Sequence, residues 1–115
     1  MKNNILENIT KNTILTKNFK LCKHLFSKMM GLMFSKPKVL IFVFNKERKI
    51  ALHMFFVFFP IDVVFLDGNK MVVEIKRNFK PFTFYKSKKR ARYVIEFPIG
   101  IIDNNSIKID HKLKW

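Results

Sequence analysis

The chain has 115 residues, a length typical of one domain with a hydrophobic core that needs neither a metal nor disulfides. Hydrophobic residues make up 49% of the chain, which excludes a mainly disordered protein. The formal net charge is +15, which favours contact with a polyanion such as nucleic acid or with an anionic membrane surface, although it would also keep a Phe-rich protein soluble.

The amino-terminal part of the sequence predicts one strand and one short helix. Residues 1–18 are polar, with a strand expected near 13–16 and fraying expected over the first ten residues. From 21 to 30 apolar residues recur at i, i+4 and i+8, and Gly31 stands where a helix end favours a left-handed residue. We therefore expect a short helix there, with Cys22 on its apolar face.

The middle of the chain predicts buried strands. Apolar runs at 39–44 and 50–56 flank a polar segment at 45–49, which predicts a β-hairpin. Pro60 interrupts the apolar stretch and marks a bend between strands. The run IDVVFL at 61–66 that follows is rich in residues that favour strands and is apolar on both faces, as expected for a buried strand.

The carboxy-terminal part continues this pattern. Asp67-Gly68 lies between two apolar runs, which is the strongest local signal for a hairpin. Residues 71–75 and 93–97 read as strands, on either side of a basic stretch. A helical turn is expected near 99–102. Two short segments, 106–109 and 112–115, bracket a turn and would close the sheet.

These elements predict a mainly β (α+β) fold, a compact antiparallel sandwich or partly open barrel with one short N-terminal helix. We expect residues 1–18 to form a partly ordered N-terminal segment and residues 19–115 to form a single domain. The sequence shows no secretory signal, and a transmembrane helix is disfavoured because Pro60 and Asp62 interrupt the longest apolar stretch. A single cysteine permits no internal disulfide, so we expect a cytoplasmic protein.

Three motifs in order resemble one protein family. They are GLMF at 31–34, Met54 followed by PIDVVFLD at 60–67, and YVIEFPIG at 93–100. From about residue 19 to the end, the chain resembles the uncharacterised domain of unknown function 192 family. The resemblance implies a small, mainly β domain and no established reaction. The chain departs from the family pattern at 55–57, where many members carry polar residues, and at 110–111, where many carry Gly-Asp.

Two carboxylates are the first candidates for chemistry. Asp62 and Glu96 both lie in apolar strand contexts, and carboxyls with separated pKa values can perform acid–base catalysis. Together with Met54 and Tyr93 they define a candidate pocket for a small ligand or substrate. The alternative is that each carboxylate points to solvent or bonds a nearby backbone group or lysine. Strand alternation favours the solvent for Glu96, because Tyr93 and Phe97 share the opposite face.

The sequence gives little support for a metal site, a reactive thiol or a cofactor site. The histidines are His24, His53 and His111, and none forms a paired ligand motif with another or with Cys22. Cys22 on an apolar face is expected in the core rather than as a nucleophile. The three glycines lie far apart, which excludes a glycine-rich phosphate loop. We expect no catalytic residue, metal or cofactor.

The stretch at 76–92 interleaves basic and aromatic residues, a pattern typical of surfaces that bind single-stranded nucleic acid. Phe82, Phe84 and Tyr85 would stack on bases if exposed; the alternative is that they anchor the segment to the core. The candidate polyanion contact consists of Lys76, Arg77, Lys80, Lys86, Lys88, Lys89, Arg90 and Arg92.

The sequence thus favours a small, non-enzymatic domain that contacts nucleic acid or another polyanion through a basic surface. The main alternative is a small-ligand-binding or enzymatic domain that uses the candidate pocket. A third interpretation is an interaction module with an apolar patch for a partner chain. That patch would consist of Phe55, Phe56, Phe58 and Phe59.

Overall fold

The computed structural model describes residues 4–22, 38–54 and 59–115, and most of these described residues form eight β-strands and one short helix. The strands are β1 (Leu6–Asn8), β2 (Thr13–Thr16), β3 (Lys20–Cys22), β4 (Leu40–His53), β5 (Ile61–Leu66), β6 (Val72–Phe79), β7 (Phe84–Pro98) and β8 (Leu113–Lys114), and the helix is α1 (Ile101–Asn104). The prediction of a mainly β fold is confirmed. In the part of the chain described, no helix is long and apolar enough to cross a membrane.

The strands form two sheets. A five-stranded sheet has the order β3-β4-β7-β5-β6, and a three-stranded sheet has the order β2-β1-β8. Neighbouring strands are antiparallel, except that β3 pairs parallel with β4. The central strand β7 pairs with β4 along most of its length and with β5 through its second half. In the described residues the sheets do not close into a barrel.

Both faces of the five-stranded sheet are covered around β5, which is buried at every position. Because successive side chains of a strand point to opposite faces, apolar runs without alternation are expected where both faces are covered. Two adjacent cross-strand rows show this, and they belong to different core clusters. The rows are Ile41–Ile95–Val64 and Phe42–Val94–Phe65.

The first core lies between the two sheets. It joins Ile41 and Ile95 of the large sheet to Leu6 of β1 and Leu113 of β8, and Ile102 of α1 packs into it as well. The second core lies on the opposite face of the large sheet. Its buried members are Cys22, Leu40, Phe42, Ile50, Leu52, Met54, Ile61, Val63, Phe65, Phe79, Ala91 and Val94.

The hairpin predicted at Asp67-Gly68 is confirmed. Strands β5 and β6 pair antiparallel on either side of it. The amide of Lys70 donates to the carbonyl of Asp67 at 3.0 Å. The Asp67 side chain accepts from the amides of Asn69 and Met71 at 2.9 and 3.1 Å. An aspartate that bonds the backbone ahead of it stabilises such a turn, which is why this local signal was reliable.

The hairpin predicted between residues 39–44 and 50–56 is wrong over the described part, because β4 continues through the polar segment as one strand. Val43 pairs with Tyr93 and Arg48 pairs with Ala91. Four residues of β4, at 44–47, therefore lie opposite the single residue Arg92 of β7 and form a bulge. The segment contains no glycine or proline that would turn the chain. The long strand β7 instead pairs with both ends of β4.

The start of the predicted N-terminal helix is also wrong. Residues Lys20–Cys22 form β3, which pairs with β4, so Leu21 is exposed while Cys22 enters the second core. Pairing with a distant strand outweighs the helical spacing there. The rest of that predicted helix, 23–30, lies outside the described residues. The one helix of the described chain is α1, close to the helical turn expected near 99–102.

The terminal segments differ in detail from expectation. The fraying predicted for the first ten residues does not extend to Leu6–Asn8, which pairs on both sides as the middle strand of the small sheet. Leu6 and Asn8 are fully buried. Residues 106–109 are not a strand, and Leu113–Lys114 alone represents the predicted 112–115 strand.

Ile95 gives a direct test of the two-sheet core. It is fully buried between Ile41 and Val64. We expect Ile95→Ala to lower the free energy of unfolding by about 2–5 kcal/mol, because it removes buried methyl groups and leaves a cavity. Ile14→Ala is the control; Ile14 is 50% exposed, and its loss should change stability by less than about 0.5 kcal/mol. Equal effects in urea denaturation would contradict this core.

Candidate functional site

The four residues of the candidate pocket lie on different faces of the five-stranded sheet. Asp62 pairs with Phe97, a residue of the first core, and Tyr93 packs against the same core. Glu96 pairs with Val63 of the second core, to which Met54 also belongs. The sheet itself therefore separates the carboxyl of Asp62 from that of Glu96, and the structure does not bring the four side chains into one cavity.

The carboxylate of Asp62 binds backbone groups. It is buried; its Oδ1 accepts from the amide of Asn78 at 2.8 Å, and its Oδ2 accepts from the amide of Gly100 at 3.2 Å. Asn78 and Gly100 have φ of 53° and 99°, in the left-handed region. Asp62 therefore holds the end of β6 and the turn before α1 in unusual backbone conformations. This arrangement matches the backbone-bonding alternative for Asp62.

A third buried carboxylate, Glu74, was missed by the sequence analysis. Its Oε1 accepts from the amides of Lys88 and Lys89, both at 2.8 Å, and its Oε2 accepts from the hydroxyl of Tyr85. Burial, together with this bond to Glu74, raises the pKa of Tyr85 to about 12. The available signal was a glutamate within the apolar run MVVEI, but its partners are remote in sequence.

Glu96 is buried, contrary to the expectation that it faces solvent. Alternation does place it opposite Phe97, but the face it occupies is covered by the second core, where Leu40 and Val63 flank it. Within the described chain no hydrogen-bond donor reaches its carboxyl. Burial raises the pKa of Glu96 to about 8, so the group holds a proton at neutral pH.

Metal ligands do not cluster in the described residues, where no group of three or more His, Cys, Asp or Glu side chains is placed to hold an ion. Cys22 lies in the second core. The Nδ1 atom of His111 accepts from the amide of Lys108 at 3.2 Å and lies 2.9 Å from Nδ2 of Asn8. His24 and the side chain of His53 lie outside what the structure describes.

The predicted basic stretch is built into strands rather than a loop. Lys86 pairs with Ala51 and Arg90 pairs with Lys49, so three residues of β7, at 87–89, face Ile50 alone. In this bulge Ser87 turns inward and its Oγ accepts from the amide of Ile50 at 2.8 Å. Bulges often redirect side chains next to functional surfaces.

Most of the candidate cations are exposed to solvent. Of the eight predicted contact residues, those with exposed side chains are Arg77, Lys80, Lys86, Lys88, Lys89 and Arg90. Lys76 and Arg92 are half-buried. Within the described ranges, the one ion pair is between Arg77 Nε and Asp103 Oδ1, at 3.0 Å. In the described residues none of the cations in the basic half of β7 forms an ion pair. A neighbouring carboxylate, that of the buried Glu74, binds the backbone amides of Lys88 and Lys89 rather than their ammonium groups.

A cleft of about 190 Å³ opens between the end of β6 and the start of β7. Its lining residues are Lys76, Asn78, Phe79, Lys80, Thr83 and Phe84. Phe84 is 75% exposed, whereas Tyr85 turns inward and packs on Phe65 and Phe79, with ring centroids 5.9 and 6.3 Å apart. Of the three aromatics predicted to stack on bases, Phe82 and Phe84 are exposed, whereas Tyr85 packs against the second core.

Most of the proposed apolar interaction patch lies outside the residues that the structure describes. Phe55, Phe56 and Phe58 lie outside the described residues. Phe59 is half-buried and packs against the second core. The interaction-module interpretation therefore remains a prediction from the sequence.

The fold and the three sequence motifs define a mainly β domain of an uncharacterised class. The model of the DUF192 family, described as "Uncharacterized ACR", matches residues 7–115, and the chain belongs to this family. A UPF0127 protein of Thermococcus sibiricus is 37% identical over 96% of this chain and 74% of its own length. A UPF0127 protein of Pyrococcus furiosus is 38% identical over 94% of this chain and 95% of its own length.

Two crystal structures share the fold. A protein of unknown function from Novosphingobium aromaticivorans superposes with a TM-score of 0.74 and 22% identity, over 84% of this chain and 74% of that one. A Sinorhizobium meliloti protein described as a "putative transcription regulator" gives a TM-score of 0.74 and 20% identity, over 84% of this chain and 79% of that one. At these identities the likeness concerns the fold.

Asp62→Asn tests the backbone-binding role of this carboxylate. The amide side chain offers one acceptor oxygen instead of two, so one of the amides of Asn78 and Gly100 loses its partner. We expect the free energy of unfolding to fall by about 1–3 kcal/mol. Asp103→Asn, at an exposed carboxylate, is the control and should be nearly neutral. Indistinguishable urea midpoints for the two variants would count against this role.

Glu96 predicts a specific pH dependence of stability. Its pKa is about 8 in the folded chain against an ordinary value of 4.5, so the unfolded chain ionises first as the pH rises. The contribution of Glu96 to stability is therefore fully present below pH 4.5 and is lost as the pH rises to about 8. Glu96→Gln should remove this decline and be the more stable form at pH 8, by up to a few kcal/mol, since one pKa unit is worth about 1.4 kcal/mol. Urea denaturation of both chains across this range is the measurement, and parallel profiles would refute the buried, protonated carboxyl.

Proposed function

We propose that this protein binds nucleic acid through the basic half of β7 and the end of β6, and that it acts by binding rather than by catalysis. The observation that supports this most is the exposed run of cations in and around the bulge at 87–89, held on a fixed strand backbone. Phosphate groups of a nucleic acid are the polyanion that such a surface fits best.

The backbone under these cations is held from two sides. Glu74 accepts from the amides of Lys88 and Lys89, and Ser87 bonds both to the amide of Ile50 and to the carbonyl of Lys89, each at 2.8 Å. A rigid backbone limits the conformational entropy that is lost when the surface binds a ligand. The backbone positions from which these charges extend are thus fixed, which supports a binding surface.

The alternative of a small-ligand or enzymatic pocket has weaker support. The strand register separates the carboxyl of Asp62 from that of Glu96, and the oxygens of Asp62 already bind two backbone amides. A buried, protonated Glu96 among apolar neighbours serves packing more simply than chemistry. We also infer a cytoplasmic location, which the single Cys22 favours because it allows no internal disulfide.

Charge reversal tests the proposal. The triple change Lys86→Glu, Lys88→Glu and Arg90→Glu should weaken binding to labelled oligonucleotides at physiological salt by at least about tenfold. It should also reduce the slope of log affinity against log salt by about 2–3, one unit for each lost phosphate contact. Fluorescence anisotropy at several salt concentrations measures both quantities.

The matched control reverses three exposed lysines elsewhere: Lys11→Glu, Lys17→Glu and Lys108→Glu. Both triple variants carry the same net charge, so a general charge effect would weaken binding equally in the two. The proposal expects the control to bind within about threefold of the unmodified protein, since long-range attraction between exposed charges is screened beyond about 8 Å. Equal loss in the two variants, or no binding by the unmodified protein at physiological salt, would overturn it.

A further inference from the structure

Phe84 lies at the mouth of the cleft between β6 and β7 with three quarters of its surface in solvent. This ring does not anchor the strand, because the next residue, Tyr85, already packs this part of β7 on Phe65 and Phe79. A single exposed apolar side chain is common on protein surfaces, so the ring alone does not define a site. The remaining walls of the cleft indicate what would bind there.

The cleft combines one aromatic face with cations and neutral polar groups. Lys76 and Lys80 contribute ammonium groups, and Asn78 and Thr83 contribute polar side chains. Phosphate groups are attracted by the lysines, a planar base stacks on the ring, and an amide can bond the edge of that base. A chain of nucleotides offers all three groups at once.

The position of Phe84 is fixed by its neighbours. Its backbone pairs with His53 of β4, the carbonyl of Thr83 accepts from the amide of Met54 at 2.8 Å, and the Thr83 hydroxyl donates to the carbonyl of Lys80 at 2.6 Å. The backbone of Phe84 is therefore held on a strand rather than on a free loop. From Phe84 the same strand leads to Lys86, two residues or about 7 Å further on, where the basic surface begins.

We infer that this cleft receives one unpaired base of a single-stranded nucleic acid, which stacks on Phe84 while its flanking phosphates contact Lys76 and Lys80. The inference rests on the proposed nucleic-acid binding and specifies its ligand. Bases in a duplex are already stacked on each other and cannot offer a face to the ring, so duplex binding would use the cations alone. The site therefore selects single strands over duplexes.

Substitution of Phe84 tests the stacked base. Against a single-stranded oligonucleotide, Phe84→Ala should bind roughly 5- to 100-fold more weakly, the range expected for one lost stacking contact. Against a duplex of equal length and inorganic polyphosphate, the same change should alter affinity by less than about twofold. Phe84→Trp should retain single-strand affinity, and the fluorescence of the new indole should be quenched when the oligonucleotide binds.

Ile109→Ala is the matched control, because Ile109 is another exposed apolar side chain outside the cleft. It should leave single-strand affinity unchanged, and thermal unfolding should show that Phe84→Ala folds like the unmodified protein. If Phe84→Ala binds single strands as well as the unmodified protein while the β7 triple charge reversal abolishes binding, the stacked base is refuted and the proposed function stands. If neither oligonucleotides nor polyphosphate bind the unmodified protein, both proposals fail.

Discussion

The antiparallel pairing of β4 with β7 is the interaction on which the rest of the structure depends. At one end it aligns Ile41 with Ile95 and Phe42 with Val94, so the same ladder builds the middle of both cores. At the other end it continues through two bulges into the basic half of β7. Because a single ladder carries both parts, the packing that stabilises the domain also fixes the orientation of the cationic surface.

The buried carboxyls show how the fold separates negative from positive charge. Asp62, Glu74 and Glu96 are three of the eight acidic residues, and all are buried. Asp62 and Glu74 offset their loss of hydration with backbone N–H groups, whereas Glu96 remains protonated. Fewer carboxylates are therefore left at the surface to neutralise the lysines, and the amides that Glu74 binds lie directly beneath them.

The sequence predicted those features that local signals determine. The buried strand β5 and the Asp67-Gly68 turn were predicted correctly because composition and turn chemistry suffice for both. The continuation of β4, the strand at Lys20–Cys22 and the inward direction of Glu96 depend on partners far away in the chain. For the same reason the sequence showed the cations and the aromatics at 76–92 but not their division between Tyr85 in the core and Phe84 in the cleft.

The most direct test of a nucleic-acid surface on β6 and β7 is to map it on the intact protein. Backbone amide chemical shifts, recorded by NMR while a single-stranded oligonucleotide is added at physiological salt, report where the ligand contacts the chain. The account predicts that the largest changes fall between residues 76 and 92, around the cleft and the bulge of β7. Changes spread evenly over the exposed lysines of the whole domain, or confined to the three-stranded sheet, would contradict it.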